Sequence, residues 1–98
     1  MPDITIVYWR DIPAQVIVGK GRNGSKRQLT ERFEQAIDRA AMRADMVGTD
    51  DYLTEWRKGG TYSLEGDPEM LAQREAARLE TEYTPERIRA LVNNYGRT

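Results

Sequence analysis

Gly19, Gly21 and Gly24 stand at G-x-G-x-x-G spacing, with four cations, Lys20, Arg22, Lys26 and Arg27, among and after them and no acid between. Glycines so spaced let backbone N–H groups approach a pyrophosphate, and cations beside a helix N-terminus can hold an anion. The context departs from a dinucleotide site. There the helix opens at once, whereas the first N-cap signal here, Thr30, comes six residues after Gly24. Gly24-Ser25-Lys26 also puts Ser where a phosphate loop of the G-K-[ST] type needs Lys. Two readings remain for this stretch: an anion site made by the four cations, or a solvated loop.

Carboxylates are the other source of chemistry. A hydrolase could use two of them as acid and base. Asp50, Asp51, Asp67 and Glu69, however, fall where helix starts favour negative charge. Glu80 and Glu82 are two apart on a helix and point to different sides. The chain has no histidine and no cysteine. That excludes thiol nucleophiles, Cys/His zinc sites, Ser-His-Asp triads and disulfides. No catalytic residue, metal site or cofactor is read from the sequence. The ring-bearing residues Tyr8, Trp9, Tyr52 and Trp56 can fill a core or anchor a partner. Tyr8, Trp9 and Arg10 form the candidate interaction surface, because alternation turns Trp9 away from Ile4, Ile6 and Tyr8.

These residues hang on a short list of elements. With 98 residues, 39% hydrophobic and 32% charged, the chain is expected to form one domain with a modest core. Ile4, Ile6 and Tyr8 alternate with Thr5, Val7 and Trp9, a period of two in β-branched and aromatic residues that predicts a strand. Arg10-Asp11-Ile12-Pro13 is turn chemistry, and Ala14 to Gly19 is a second strand. Gly19 to Arg27 reads as a loop. Thr30 caps a helix running to Arg43 or Ala44, with Phe33, Ala36, Ile37, Ala40, Ala41 and Ala44 as its apolar stripe. A short helical segment spans 50–58, ended by Gly59-Gly60. Thr61 to Glu65 is a third strand or an extended loop. Asp67-Pro68 and Thr84-Pro85 each announce a helix, to about Tyr83 and Asn94. On the first of these, Gln73, Arg74, Glu75, Arg78, Glu80 and Glu82 form the outer face. The order β-β-α-α-β-α-α predicts a small two-layer α+β domain: an N-terminal hairpin packed by three to four helices.

Charge adds little on a net value of −1. Residues 1–43 hold eight Lys/Arg against five Asp/Glu, and residues 44–98 seven against eleven. That balance, without a recognised binding motif, argues against nucleic acid. No apolar run is long enough for a membrane span, and MPDITIVYWRD lacks the regions of a signal peptide, so a cytoplasmic location is expected.

Tyr8-Trp9-Arg10-Asp11-Ile12-Pro13-Ala14-Gln15, with Phe33-Glu34, Ala36-Ile37-Asp38, Ala40 and then Tyr52-Leu53 and Trp56, resembles the small bacterial "virulence factor" domain family over about residues 4–83. The family takes its name from a larger conserved virulence factor carrying a similar segment. Its small members occur beside genes for one-carbon and corrinoid methyl-transfer enzymes. The resemblance therefore implies an accessory protein, and it brings no catalytic residues with it. Taken together, the expectation is a non-catalytic interaction or accessory protein with a protein partner, either a second copy or a pathway enzyme. The alternative is an accessory subunit of a one-carbon or methyl-transfer system that binds an anion or nucleotide-type ligand on Lys20, Arg22, Lys26 and Arg27.

Overall fold

The computed structural model describes residues 2–19, 24–46 and 50–98. Strand β1 (Asp3–Trp9) turns through Arg10 and Asp11 into β2 (Ile12–Val18). Next come β3 (Ser25–Gln28), α1 (Glu31–Arg43), α2 (Asp50–Thr54), β4 (Trp56–Lys58), β5 (Tyr62–Ser63), α3 (Pro68–Glu82) and α4 (Pro85–Asn93). The strands form one antiparallel sheet in the order β3-β2-β1-β4, with β5 also pairing β1. The α+β class expected from the sequence is the one observed.

Two strands differ from expectation. Ser25–Gln28 extends the sheet where a loop is predicted, pairing Ile17 with Lys26 and Val16 with Arg27. As an outer strand exposed to solvent, it needs no apolar face. Trp56–Lys58 pairs with β1 instead of closing the preceding helix, so α2 has only five residues. The predicted third strand contracts to Tyr62 and Ser63, opposite Ile4 and Asp3.

The hairpin register decides what each face meets. Val7 pairs with Gln15, but Tyr8 pairs with Pro13, leaving Ala14 as an extra residue in β2. Paired residues share a face. Ile4, Ile6 and Tyr8 therefore stand with Val18, Val16 and Pro13, while Thr5, Val7 and Trp9 stand with Ile17, Gln15 and Ile12. Helix α3 packs on β2 and β3, and α1 packs on β2 and α4. Ile4, Ile6, Trp9, Ile12, Val16 and Val18 join Phe33, Leu71, Leu79 and Leu91 in one buried cluster.

The helix starts follow the predicted chemistry with one exception. Asp67 accepts from the Met70 N–H and Thr84 from the Arg87 N–H, each before an N1 proline. Thr30 occupies the N-cap position of α1 but makes no side-chain cap bond. Its hydroxyl donates to Glu80 Oε1 at 2.8 Å and its N–H to Glu80 Oε2 at 2.7 Å, so α1 begins by tying itself to α3. Arg32 adds to that tie, donating to the Glu80 and Tyr83 carbonyls.

Candidate functional site

Three regions hold the residues that could act: the hairpin corner, the β3 edge and a recess beside α1.

At the corner the backbone of Arg10 is left-handed, with φ of 52°, a conformation costing a non-glycine residue about 1–3 kcal/mol. Its side chain shows what holds it there. Nη1 donates to the Tyr95 carbonyl at 2.7 Å, Nη2 reaches Met46 Sδ at 3.2 Å, and Glu55 lies 3.5 Å away. The Arg10 N–H also donates to the Glu55 carbonyl. Asp11 completes the corner. Its carboxylate accepts from the Thr98 N–H at 2.7 Å and from Arg57 at 3.1 Å, and its N–H donates to the Gly96 carbonyl. The Thr98 N–H is the main cause that holds the Asp11 carboxyl below its ordinary range; partial burial opposes it and Arg57 assists.

Trp9 and Arg10 are therefore enclosed by the fold, where the sequence reading expects an exposed surface. By register Trp9 does face away from Ile4 and Ile6, but the second face is covered at that end. Tyr52 lies 5.7 Å away ring to ring, the indole N–H donates to the Tyr52 carbonyl, and Gly96 abuts the six-membered ring. Trp9 is fully buried and Arg10 nearly so, while Tyr8 is half-buried under the guanidinium of Arg57. YWRDIP works as a structural hub here.

Of the four basic residues of the expected anion site, Lys26 and Arg27 lie on β3. Adjacent residues of a strand point to opposite faces, so Lys26 and Arg27 diverge. Lys20 and Arg22 lie outside the described residues. Glu75 needs a further correction: expected on the outer face of α3, it is 6% exposed. Tyr62, brought over by β5, donates its hydroxyl to Glu75, and Arg78 pairs with the same carboxylate. Burial, then the bond to Glu75, raises the Tyr62 phenol. Burial opposes the charge on Arg78, but bonds to Tyr62 and Glu75 still raise its pKa. Glu75 Oε1 thus takes both the phenol of Tyr62 and the guanidinium of Arg78, so the buried carboxylate is paired.

The recess is the region missed from sequence. It has a volume of about 270 Å³ and is lined by Ala14, Gln28, Leu29 and Ile37, together with Glu34, Asp38, Tyr52 and Trp56. Glu34 and Asp38 sit one turn apart on α1. Tyr52 and Trp56 meet edge to face at 6.2 Å, and Trp56 keeps 36% of its surface exposed. Burial, then the Asp38 charge, raises the Tyr52 phenol. Among the described residues no group of acids is placed to hold a metal ion, and no helix is long and apolar enough to cross a membrane.

The fold and its corner thus define a small α+β domain whose most distinctive segment is architectural. The chain belongs to the virulence factor family, whose model matches residues 7–92. No curated protein and no solved structure was found to match it.

Proposed function

We propose that this chain is a non-catalytic interaction module that receives an extended segment of a protein partner along β3. The observation carrying this reading is the outer edge of β3. Ser25–Gln28 pairs only with β2 among the described residues, and Lys26, Arg27 and Gln28 are exposed. An unpaired edge offers backbone donors and acceptors to an added strand. Lys26 and Arg27 favour an acidic segment, and a second copy would set like charges against each other. Divergence of those two cations also weighs against the anion-site alternative, which needs them to converge.

The chain contains three lysines, Lys20, Lys26 and Lys58, and the last lies on β4, on the far side of β1. Lysine cross-linking of the tagged chain in its native cell therefore separates the two sides of the sheet. A partner linked through Lys26, and lost from the Lys26→Glu, Arg27→Glu double variant, is the expected result. A partner linked only through Lys58, and retained by the double variant, overturns the reading.

A further inference from the structure

The recess beside α1 gathers two carboxylates and two aromatic rings at one cavity. Glu34 and Asp38 are like charges at i, i+4, a spacing that costs an isolated helix about 0.2–0.5 kcal/mol. Neither has an ion-pair partner among the described residues. Among the described residues the ion-paired acids are Glu80 with Arg32, Asp11 with Arg57, Glu55 with Arg10 and Arg97, and Glu75 and Glu82 with Arg78; most other acids, like Glu34 and Asp38, have no such partner. The same recess is also lined by aromatic rings. Trp56 and Tyr52 stand edge to face, and the partly exposed indole borders the same space. Gln28 adds an amide whose oxygen can accept a hydrogen bond.

Carboxylates and an indole at one cavity suit a planar cation. A guanidinium donates paired N–H bonds to carboxylate oxygens and places its face on an aromatic ring, where desolvation strengthens the attraction. A metal ion would leave the aromatic wall unused. An anion would meet two carboxylates, and a neutral apolar ligand would leave them to be desolvated without compensation. The volume, about 270 Å³, holds such a head group and a short alkyl stem, and falls just below the range of about 300–1,000 Å³ typical of larger ligands.

We infer that the recess formed by Glu34, Asp38, Tyr52 and Trp56 is a recognition pocket for a guanidinium group. The group can come from an arginine side chain on a protein or from a free alkylguanidine. Guanidinium binding requires no strand on β3, so the two proposals fail separately.

The test is a titration of the full isotope-labelled chain, followed by the amide and indole N–H resonances. Ethylguanidinium is the probe, and ethylurea is its neutral isostere. The expected result is saturable shifts confined to the Trp56 indole and to residues 28–38 and 52–56, with ethylurea binding roughly tenfold more weakly or not at all. The Glu34→Gln, Asp38→Asn variant should lose roughly tenfold in affinity for ethylguanidinium while keeping the spectrum of the folded chain. A blocked Ala-Arg-Ala peptide that binds more tightly than ethylguanidinium assigns the source to a protein; a weaker one assigns it to a free guanidine. Equal binding of ethylurea, shifts that stay linear in concentration, or unchanged affinity in the double variant overturns the inference. If the variant does not fold, the comparison of the two probes on the parent chain decides alone.

Discussion

The hairpin corner and the recess share Tyr52 yet treat charge in opposite ways. At the corner Arg10 and Asp11 are held by the fold: the two Nη groups of Arg10 by Tyr95, Met46 and Glu55, the carboxylate of Asp11 by Thr98 and Arg57. Glu34 and Asp38 line a cavity with Tyr52 and have no ion-pair partner among the described residues. A charge that is buried and bonded holds structure together, because removing one partner strands the other. A charge at a cavity wall can be removed at little cost to the fold, which leaves it available to a ligand. The difference teaches that the residues easiest to recognise in this chain serve its architecture, while the less conspicuous α1 pair faces outward.

Three substitutions at the corner can break that comparison. The largest effect belongs to Trp9→Ala. The ring is fully enclosed between the sheet, Tyr52 and Gly96, and its loss should cost about 3–5 kcal/mol in denaturant unfolding. A loss below about 1 kcal/mol would return Trp9 to the surface and dissolve the contrast. Gly96→Ala comes second. Gly96 holds a φ of +87°, and an added Cβ would lie 2.9 Å from Trp9 Cζ3. The expected cost is about 1–2 kcal/mol, read as a lower Tm. A neutral result would mean that the 95–98 segment does not clamp the indole.

The smallest effect is Asp11→Asn, and it depends on pH. The Asp11 carboxyl is lowered from 3.8 in the folded state, so its stabilisation is fully present above 3.8 and is lost as pH falls through the lower folded value. The parent should exceed the Asn variant in stability at neutral pH, and the gap should close under acid. A gap that stays constant down to pH about 2 would show that the Asp11 charge is not what binds Thr98.

How much of this was legible varies by element. Ile4, Ile6 and Tyr8 announce β1 by alternation, and Asp67-Pro68 and Thr84-Pro85 announce two helices through their caps. Strand β3 hid because Ser-Lys-Arg-Gln has no apolar period; only its neighbour β2 reveals it. Tyr52, Leu53 and Trp56 look helical by spacing, yet Trp56 belongs to a strand paired with Trp9. Glu75 looked like an outer residue because its partner Tyr62 arrives from another element. The burial of Trp9 depends on residues 52 and 96, which local pattern cannot bring together. The recess left one readable sign, the like-charged pair Glu34 and Asp38 at helical spacing. The aromatic rings that line the cavity with them emerge only when α2 and β4 fold back.

The clasp between Asp11 and Thr98 spans 87 positions of sequence. Contacts of that separation form late, since the intervening chain must first be ordered. On the ribosome, the hairpin emerges well before residues 95–98 and waits while the 87 positions from Asp11 to Thr98 are made before its corner can close. Until then the Trp9 ring lacks its Gly96 cover and Arg10 its Tyr95 carbonyl, so the nascent chain leaves the indole partly uncovered for that interval.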